Sequence, residues 1–277
     1  MGRLYRIAID AFYRFNDDDG WAIASHIALS TLMALFPFLI VVTALGAVFG
    51  SKELADEAAR ILLETWPKEV AGPIAREIHD VLTNLRTEAL TVGALFAIIF
   101  ASSGVESLRI GLNRAYGVKE SRSWWLLRLE SIAYVLVGAA ASLALSFLVV
   151  LWPLIWATAI KYLRWLEPLD YLLNFARLSA AAAVLIVALL VVHLWLPAGR
   201  RTLTEVVPGI AVTLVLWIAG GTLFGRYLAE FAFAYTIYYA GLASAVAALF
   251  FLYLVAMIFI YGGELNAAIR RARDGRG

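Results

Sequence analysis

Polar and charged side chains inside apolar stretches are the residues of this sequence whose types and spacing could do chemistry. One set recurs at intervals of four, three and four residues and comprises Ser102, Glu106, Arg109 and Asn113. This spacing predicts a polar stripe along one face of a helix. Ionisable groups are expensive in or near lipid, so the stripe must face other helices or water. Glu106 and Arg109 are three residues apart and are close enough to neutralise one another.

A second set follows the last long apolar stretch, where Gly262 and Gly263 precede Glu264 and Asn266. The glycines allow a neighbouring backbone to approach, and Glu264 then needs a cation. The candidate cations on the same predicted side of the membrane are Arg109, Arg114 and Arg128. We expect a polar cluster that joins Glu106, Arg109, Asn113, Glu264 and Asn266. The cluster either forms part of a pathway or is an ion-pair network that only fixes helix packing.

The first apolar stretch carries a further candidate pathway. His26 and Ser30 are four residues apart and share a helical face, with Thr31 alongside. Pro37 lies farther along the same stretch, where it removes a hydrogen-bond donor and is expected to kink the helix. Kinked helices with nearby hydroxyl groups often line transport cavities. The alternative for His26 is a hydrogen bond that serves packing alone.

Other kinds of chemistry have no support in the sequence. Cysteine is absent, which excludes disulfides and thiolate ligands, and the three histidines (His26, His79 and His193) are far apart in the chain. We find no phosphate-binding loop, no dinucleotide-binding glycine pattern and no metal-ligand spacing. We therefore expect no metal, no cofactor and no enzymatic activity. A net charge of +2 also does not indicate nucleic acid as a partner.

The elements that position these residues are predicted to be membrane-spanning helices. Of the 277 residues 62% are apolar and only 16% are charged, and the mean hydropathy is +0.81, which excludes an ordinary soluble domain. A span needs roughly 20 apolar residues, and the apolar runs are too long for strands. The six predicted spans are about Trp21–Phe49, Ala89–Ser107, Ser131–Ile160, Leu172–Leu196, Val206–Leu228 and Tyr238–Tyr261.

The distribution of Lys and Arg predicts the orientation of these spans. Fourteen basic residues lie in the segments that are inside if the N-terminus is cytoplasmic, against nine in the outer segments. We therefore expect both termini in the cytoplasm. No cleavable signal is recognised, so the first span is expected to direct insertion.

Two segments outside the spans have amphipathic patterns. Residues 1–20 carry Leu4, Ala8, Phe12 and Phe15 at helical spacing, which predicts a helix lying on the cytoplasmic face. Residues 51–88 carry two apolar stripes and predict short outer helices between spans one and two. These helices could be a lid over a cavity or a structural cap. Together the patterns predict one all-α membrane domain over residues 1–277.

Several local patterns, in order along the chain, carry a family resemblance. They are Leu35-Phe36-Pro37, Gly111-Leu112-Asn113-Arg114-Ala115-Tyr116-Gly117, Leu196-Pro197-Ala198-Gly199-Arg200, Pro208-Gly209 and Gly263-Glu264-Leu265-Asn266. The chain resembles the YihY/BrkB family of six-span bacterial inner-membrane proteins, sometimes labelled ribonuclease BN-like. Gly263 stands where that family usually has Ala. The resemblance implies a role in the cell envelope and is consistent with movement of lipids or other amphiphiles.

Three functions follow from these observations. We favour transport of a lipid or other amphiphilic envelope component, with membrane lipids as partners. The alternative is a scaffold without transport activity that binds a second copy or another envelope protein. A membrane-bound ribonuclease is least favoured, because a nuclease needs a metal cluster or an acid–base pair. A transporter is expected to have a cavity lined by His26, Ser30, Ser102 and Glu106.

Overall fold

The computed structural model describes residues 2–49, 87–162, 168–239 and 243–275. These residues form eight α-helices and one π-helical segment, joined by turns and without strands. The helices are α1 (Arg3–Asp17), α2 (Gly20–Phe49), α3 (Thr87–Ala115), α4 (Trp124–Ser146), α5 (Trp152–Tyr162), α6 (Asp170–Trp195), α7 (Leu203–Tyr239) and α8 (Ala243–Arg273). The predicted outer helices, including His79, lie outside the described residues, apart from 87 and 88, which begin α3.

The chain is an all-helical, multi-pass membrane protein. Within the ranges that the structure describes, five stretches are long and apolar enough to cross a bilayer: Thr91–Ala115, Trp124–Val149, Asp170–Trp195, Leu203–Glu230 and Ala245–Arg273. The first predicted span coincides with α2, whose residues Gly20–Leu35 form a shorter apolar stretch. At about 1.5 Å per residue the 30-residue α2 is about 45 Å long, so its backbone has the length of a span. Large apolar side chains such as Trp125 and Leu136 are exposed, as expected where lipid is the solvent.

Helix α8 lies at the centre of the bundle. It packs against α7, α2, α1 and α3, while α2 and α3 form the most extensive helix pair. Buried residues of this region form one apolar core: Phe15, Ala24, Ile27, Leu112, Leu189, Leu196, Val206, Ile210, Ala256, Phe259 and Ile260. A smaller cluster of Ala11, Leu265 and Ala268 joins α1 to α8. The amphipathic α1 is thus docked on the bundle through one face, and it exposes Leu4, Phe12 and Tyr13 on another.

Close approach of α7 and α8 depends on glycine. A Cβ at Gly209 of α7 would overlap the carbonyl oxygen of Gly262 in α8, and one at Gly262 would overlap the Thr213 hydroxyl. Gly111 of α3 is similarly covered by Ile260, whose Cδ1 would lie 2.5 Å from an added Cβ. At Gly209 and Gly262 the backbones of α7 and α8 therefore meet without intervening side chains, as in small-residue contacts between membrane helices.

Several helices extend beyond the predicted spans. α3 continues to Ala115 and α8 to Arg273, although the predictions ended at Ser107 and Tyr261. An apolar run stops at its first charges, whereas the helical backbone continues through polar residues that find partners. α2 continues through Pro37 to Phe49, and the kink predicted there stays a prediction because the described side chains end before it.

The third predicted span is interrupted by a change of helix type. α4 is followed by the π-helical segment Phe147–Leu151 and then by α5. A π-helical turn changes the backbone hydrogen-bond pattern. Arg177 of α6 donates from Nη1 to the carbonyl oxygens of Val149 and Leu148 at 3.4 and 3.5 Å. The altered turn thus supplies acceptors for a charged residue in an otherwise apolar helix.

Candidate functional site

The polar stripe of α3 lies in the structure as predicted, but its expected internal pair does not form. Glu106 is paired with Arg128 of α4, with Oε2 3.6 Å from Nη1. Arg109 is 2% exposed and donates from Nη2 to the Ser131 hydroxyl at 2.7 Å and to the Leu127 carbonyl oxygen at 3.0 Å. The prediction of a Glu106–Arg109 pair is therefore wrong, because α4 supplies better-placed partners for both. Ser102 is fully buried and donates to the Ile99 carbonyl oxygen within its own helix.

Asn113 joins two connectors at the end of the stripe. Its Oδ1 accepts from the Ala198 backbone N–H at 2.7 Å, in the α6–α7 connector (196–202). Its Nδ2 donates to Glu120 Oε2 at 3.2 Å, in the α3–α4 connector (116–123). We call this end of the bundle the connector end. Because Asn113 is buried, losing either bond would leave a buried polar group without a partner.

Arg122 completes the link between the connectors. Its Nη2 and Nε donate to Glu120 at 2.8 and 2.9 Å, and its Nη1 donates to Glu130 at 2.7 Å. Nη2 also donates to the Leu196 carbonyl oxygen at 3.0 Å. The Arg122 hydrogen bonds hold the pKa of Glu120 well below its usual value, at about 2. Arg122 is thus the hydrogen-bond partner of both Glu120 and Glu130, which is typical of a structural network.

Asn266 of α8 is the centre of a second buried network. Its Oδ1 accepts from the Gly209 N–H at 2.6 Å, and its Nδ2 donates to the Val206 carbonyl oxygen at 3.0 Å. These groups belong to the first turns of α7, where Pro208 interrupts the regular hydrogen-bond pattern. The Asn266 amide therefore ties the beginning of α7 to α8.

The same amide reaches a buried tyrosine and histidine. Asn266 Nδ2 donates to the Tyr116 hydroxyl at 3.3 Å, and that hydroxyl is hydrogen-bonded to His193 Nδ1 at 3.2 Å. Burial raises the pKa of Tyr116 to about 12, so the phenol stays neutral. The Arg201 guanidinium lies 4.1 Å from the Tyr116 ring centroid. His193 is itself fully buried.

Glu264 stands apart from both networks. Its side chain is fully buried, and neither carboxyl oxygen has a hydrogen-bond partner among the residues that the structure describes. The arginines considered as partners are engaged elsewhere: Arg109 with α4, Arg128 with Glu106, and Arg114 with Asp19 at 2.7 Å. The single predicted cluster is therefore divided into separate groups, because each arginine has a nearer acceptor in a neighbouring helix or turn.

His26 lies in an open cleft between α2 and α3. Its Nδ1 is 2.6 Å from the Ser107 hydroxyl and 3.4 Å from the Ser30 hydroxyl, so the predicted His26–Ser30 contact is present but long. The cleft has a volume of about 660 Å³. It is lined by Asp19, Ala22, Ile23, His26, Ser103, Glu106, Ser107, Ile110 and Arg114. Two of the four residues expected to line a cavity, His26 and Glu106, do so.

Sequence reasoning missed Ser103 and Ser107 of the cleft. Ser103 lies three residues before Glu106 and four before Ser107, and both intervals bring side chains to one side of a helix, so the spacing of α3 contained the signal. In the described part of the chain, no three His, Asp or Glu side chains are grouped closely enough to hold a metal ion. The arrangement places hydrogen-bonding and charged groups of α2 and α3 together in one cleft.

Comparison with known proteins adds a family match. The model of the family described as virulence factor BrkB matches residues 11–277. The chain is 25% identical over 264 residues to a ribonuclease-like protein, YfkH, of Bacillus subtilis, and the match covers 95% of each chain. It is 27% identical over 276 residues to the UPF0761 membrane protein RC1_0578 of Rhodospirillum centenum, covering 95% of this chain and 57% of that relative. The chain thus spans little more than half the length of the second relative. No solved structure matches it.

Proposed function

The chain belongs to the virulence factor BrkB family, and we propose that it moves a lipid or another amphiphile across its membrane without acting as an enzyme. The observation that carries this proposal is the cleft between α2 and α3. Its charged and hydroxyl groups, among them His26, Glu106 and Ser107, occupy helix faces that would otherwise meet lipid. Exposing such groups to acyl chains is unfavourable, whereas a bound headgroup would add polar contacts to those that they already make within the protein.

Apolar surface continues from the cleft along both helices. On α2, Leu29 and Met33 follow His26 at helical spacing and are 49% and 45% exposed. On α3, Ile99 and Phe96 precede Ser103 on the same face and are also exposed. A molecule with its headgroup in the cleft would therefore lay its acyl chain on this track. This division between a polar and an apolar end favours an amphiphile over a small polar solute.

The location that goes with this function is the bacterial inner membrane, with both termini in the cytoplasm. The bias of Lys and Arg supports this orientation and would place the connector end at the cytoplasmic face. Arg109, Asn113 and Arg122 are then engaged in holding the connectors together. Their engagement supports a non-enzymatic role, although YfkH is named ribonuclease-like.

A scaffold is the second candidate, and one surface favours it. Gly221 and Gly225 lie on α7 with open space where a Cβ would be, on the same face as exposed Ile218. Small residues four apart allow close helix approach, so a second copy or an envelope protein could pack here. A scaffold would use this face of α7 and would not need the cleft.

Lipid movement in reconstituted vesicles tests the proposal. We expect vesicles of phosphatidylethanolamine and phosphatidylglycerol to translocate a labelled lipid faster with the protein than without it. Replacing Glu106→Ala should slow translocation about tenfold, since removal of one charged hydrogen-bonding group costs about 1.4 kcal/mol or more. The exposed acid Glu230 of α7 provides a matched control, and Glu230→Ala should translocate at the parent rate. Equal rates for empty vesicles and for all three proteins would contradict transport and leave the scaffold.

A further inference from the structure

Glu264 is a buried acid that the proposed cleft does not use. Its side chain has no exposed surface, and both of its carboxyl oxygens lack hydrogen-bond partners among the described residues. A carboxylate in such a position is strongly unfavourable unless it is paired or coordinates a cation. The geometry therefore calls for a positively charged ligand at this side chain.

The basic side chains at the end of α1 and on α8 do not serve as the positively charged ligand of Glu264. The charges that act on Glu264 come from Asp18 and Arg14 at the end of α1 and from Arg271 on its own helix. Both arginines are already held by Asp10, with N–O distances of 3.6 Å from Arg14 and 3.1 Å from Arg271. Asp18 is a second acid and adds negative charge to the site.

The basic groups that the described part of the other elements brings near Glu264 also have partners of their own. Arg114 of α3 is held by Asp19 in the α1–α2 corner, and its Nη1 also donates to the Asp18 carbonyl oxygen at 3.2 Å. His193 of α6 lies behind Gly263, and its Nδ1 is bonded to Tyr116. Glu205 of α7 is paired with Arg270 of α8, and its Oε1 lies 3.9 Å from the Arg270 Nε. Each of these charged or titratable groups is thus engaged with a partner other than Glu264.

The number of available ligands indicates which cation fits. Metal ions such as Ca²⁺ and Mg²⁺ take about six or more oxygen ligands. Glu264 and Asp18 provide two carboxyl groups, and the described residues contain no group of three acids or histidines at this place. A proton needs only one oxygen, and a protonated carboxyl can share it with a second acid.

The site is also physically connected to the cleft. Asp18 faces Glu264, while the next residue, Asp19, lines the cleft and is held by Arg114, which lines it too. The α1–α2 corner, which lies between Glu264 and the cleft, is tightly packed. Asp19 has a φ of 58°, and a Cβ at Gly20 would lie 2.5 Å from the Phe15 ring. A change of charge at Glu264 would therefore be transmitted through this corner to Asp19 and Arg114, which line the cleft.

We propose that Glu264 is a proton-binding site, coupled through the Asp18–Asp19 corner to the α2–α3 cleft, so that amphiphile movement is driven by a proton gradient. The inference rests on the proposed transport function and supplies its energy source. Asp18 is a positioning residue whose negative charge opposes a second negative charge on Glu264, and Asp19 and Arg114 connect the site to the headgroup.

Infrared spectroscopy of the full chain in lipid vesicles tests the proton site independently of transport. The protonated carboxyl should give a carbonyl band that shifts in D₂O and is lost in Glu264→Gln. This variant keeps the size and neutral state of the side chain, so it is expected to fold. Glu230→Gln, at an exposed acid, should keep the band. A parent spectrum without the band, or a band that persists in Glu264→Gln, would overturn the assignment.

Coupling is tested in the same vesicles with an imposed pH gradient. The parent protein and Glu230→Gln should translocate labelled lipid faster with the gradient than without it. Glu264→Gln should lose this difference and show one rate under both conditions, and Asp18→Asn should reduce it. A parent rate that ignores the gradient would overturn the coupling while leaving transport intact. Absence of translocation under every condition would instead contradict the proposed function, whatever the infrared spectra show.

Discussion

Glu120 is an acid whose charge is fixed by a single arginine. Hydrogen bonds from Arg122, with a further one from Asn113, lower the pKa of Glu120 from 4.5 to about 2 despite opposing desolvation. The ionised form is therefore the one that the folded protein favours. By linkage, its stabilising contribution is fully present above pH 4.5 and is lost as the pH falls through about 2.

We expect Glu120→Gln to lower the melting temperature of the purified protein at pH 7 by about 5 °C, because charge-assisted hydrogen bonds are replaced by neutral ones. The difference between parent and variant should shrink as the pH is lowered from 4.5 towards 2. Thermal unfolding in detergent at a series of pH values measures both effects. Glu230→Gln, at an exposed acid, should leave the melting temperature unchanged. A parent–variant difference that is constant down to pH 2 would contradict the role of Glu120.

At this scale the sequence identifies which residues matter better than it identifies their partners. Asn113 and Asn266 could be predicted as members of a polar cluster, the first from its helical spacing and the second from the glycines that precede it. Their partners could not, since Ala198 and Gly209 offer backbone groups that no residue type reveals. Arg109 was expected to bind an acid, and it binds Ser131 and a carbonyl oxygen of α4 instead. Such pairings depend on how the helices are arranged in space.

Among the helices, the α7–α8 contact shows how glycine determines a distance between backbones. Gly209 and Gly262 face each other, and Asn266 bonds to the same turn of α7. Gly221, farther along α7, has open space instead. Two glycines of one helix thus serve different purposes, and only one of them is under a neighbouring backbone.

Alanine substitution should separate the two glycines. Gly209→Ala forces α7 away from α8 and breaks the Asn266 bonds, so we expect a loss of about 1–3 kcal/mol in the free energy of unfolding. Gly221→Ala meets no atom and removes a poor helix former, so its stability should be unchanged or up to about 1 kcal/mol higher. Denaturant unfolding of both variants measures the difference. Equal stability of the two would show that the close α7–α8 approach is not required.

Helix boundaries were predicted well where apolarity ends sharply. The first span was placed at Trp21–Phe49, and α2 begins one residue earlier, at Gly20. The predictions for α3 and α8 were too short, because Arg109 and Asn266 are polar residues inside regular helices. The π-helical segment Phe147–Leu151 could not be predicted, since its sequence is a uniform apolar run and the change depends on packing.

For the whole molecule, the orientation in the membrane is a prediction from the distribution of Lys and Arg, and labelling can test it. The chain has no cysteine, so each introduced cysteine is the single labelling site. Gly2→Cys and Asp274→Cys should be protected from an impermeant maleimide in intact cells and should react after permeabilisation. Lys68→Cys and Lys161→Cys should react in intact cells, because both lie in predicted outer segments. Labelling of the two termini from opposite sides would contradict an even number of spans.

The double tie made by Arg122 and Asn113 has a mechanical consequence. Because these hydrogen bonds join the α3–α4 and α6–α7 connectors, we expect the two connectors to move together as one unit. Helices that are held together at one end can separate only at their other end. We therefore expect the helices of this bundle to separate more readily at the end opposite these two connectors.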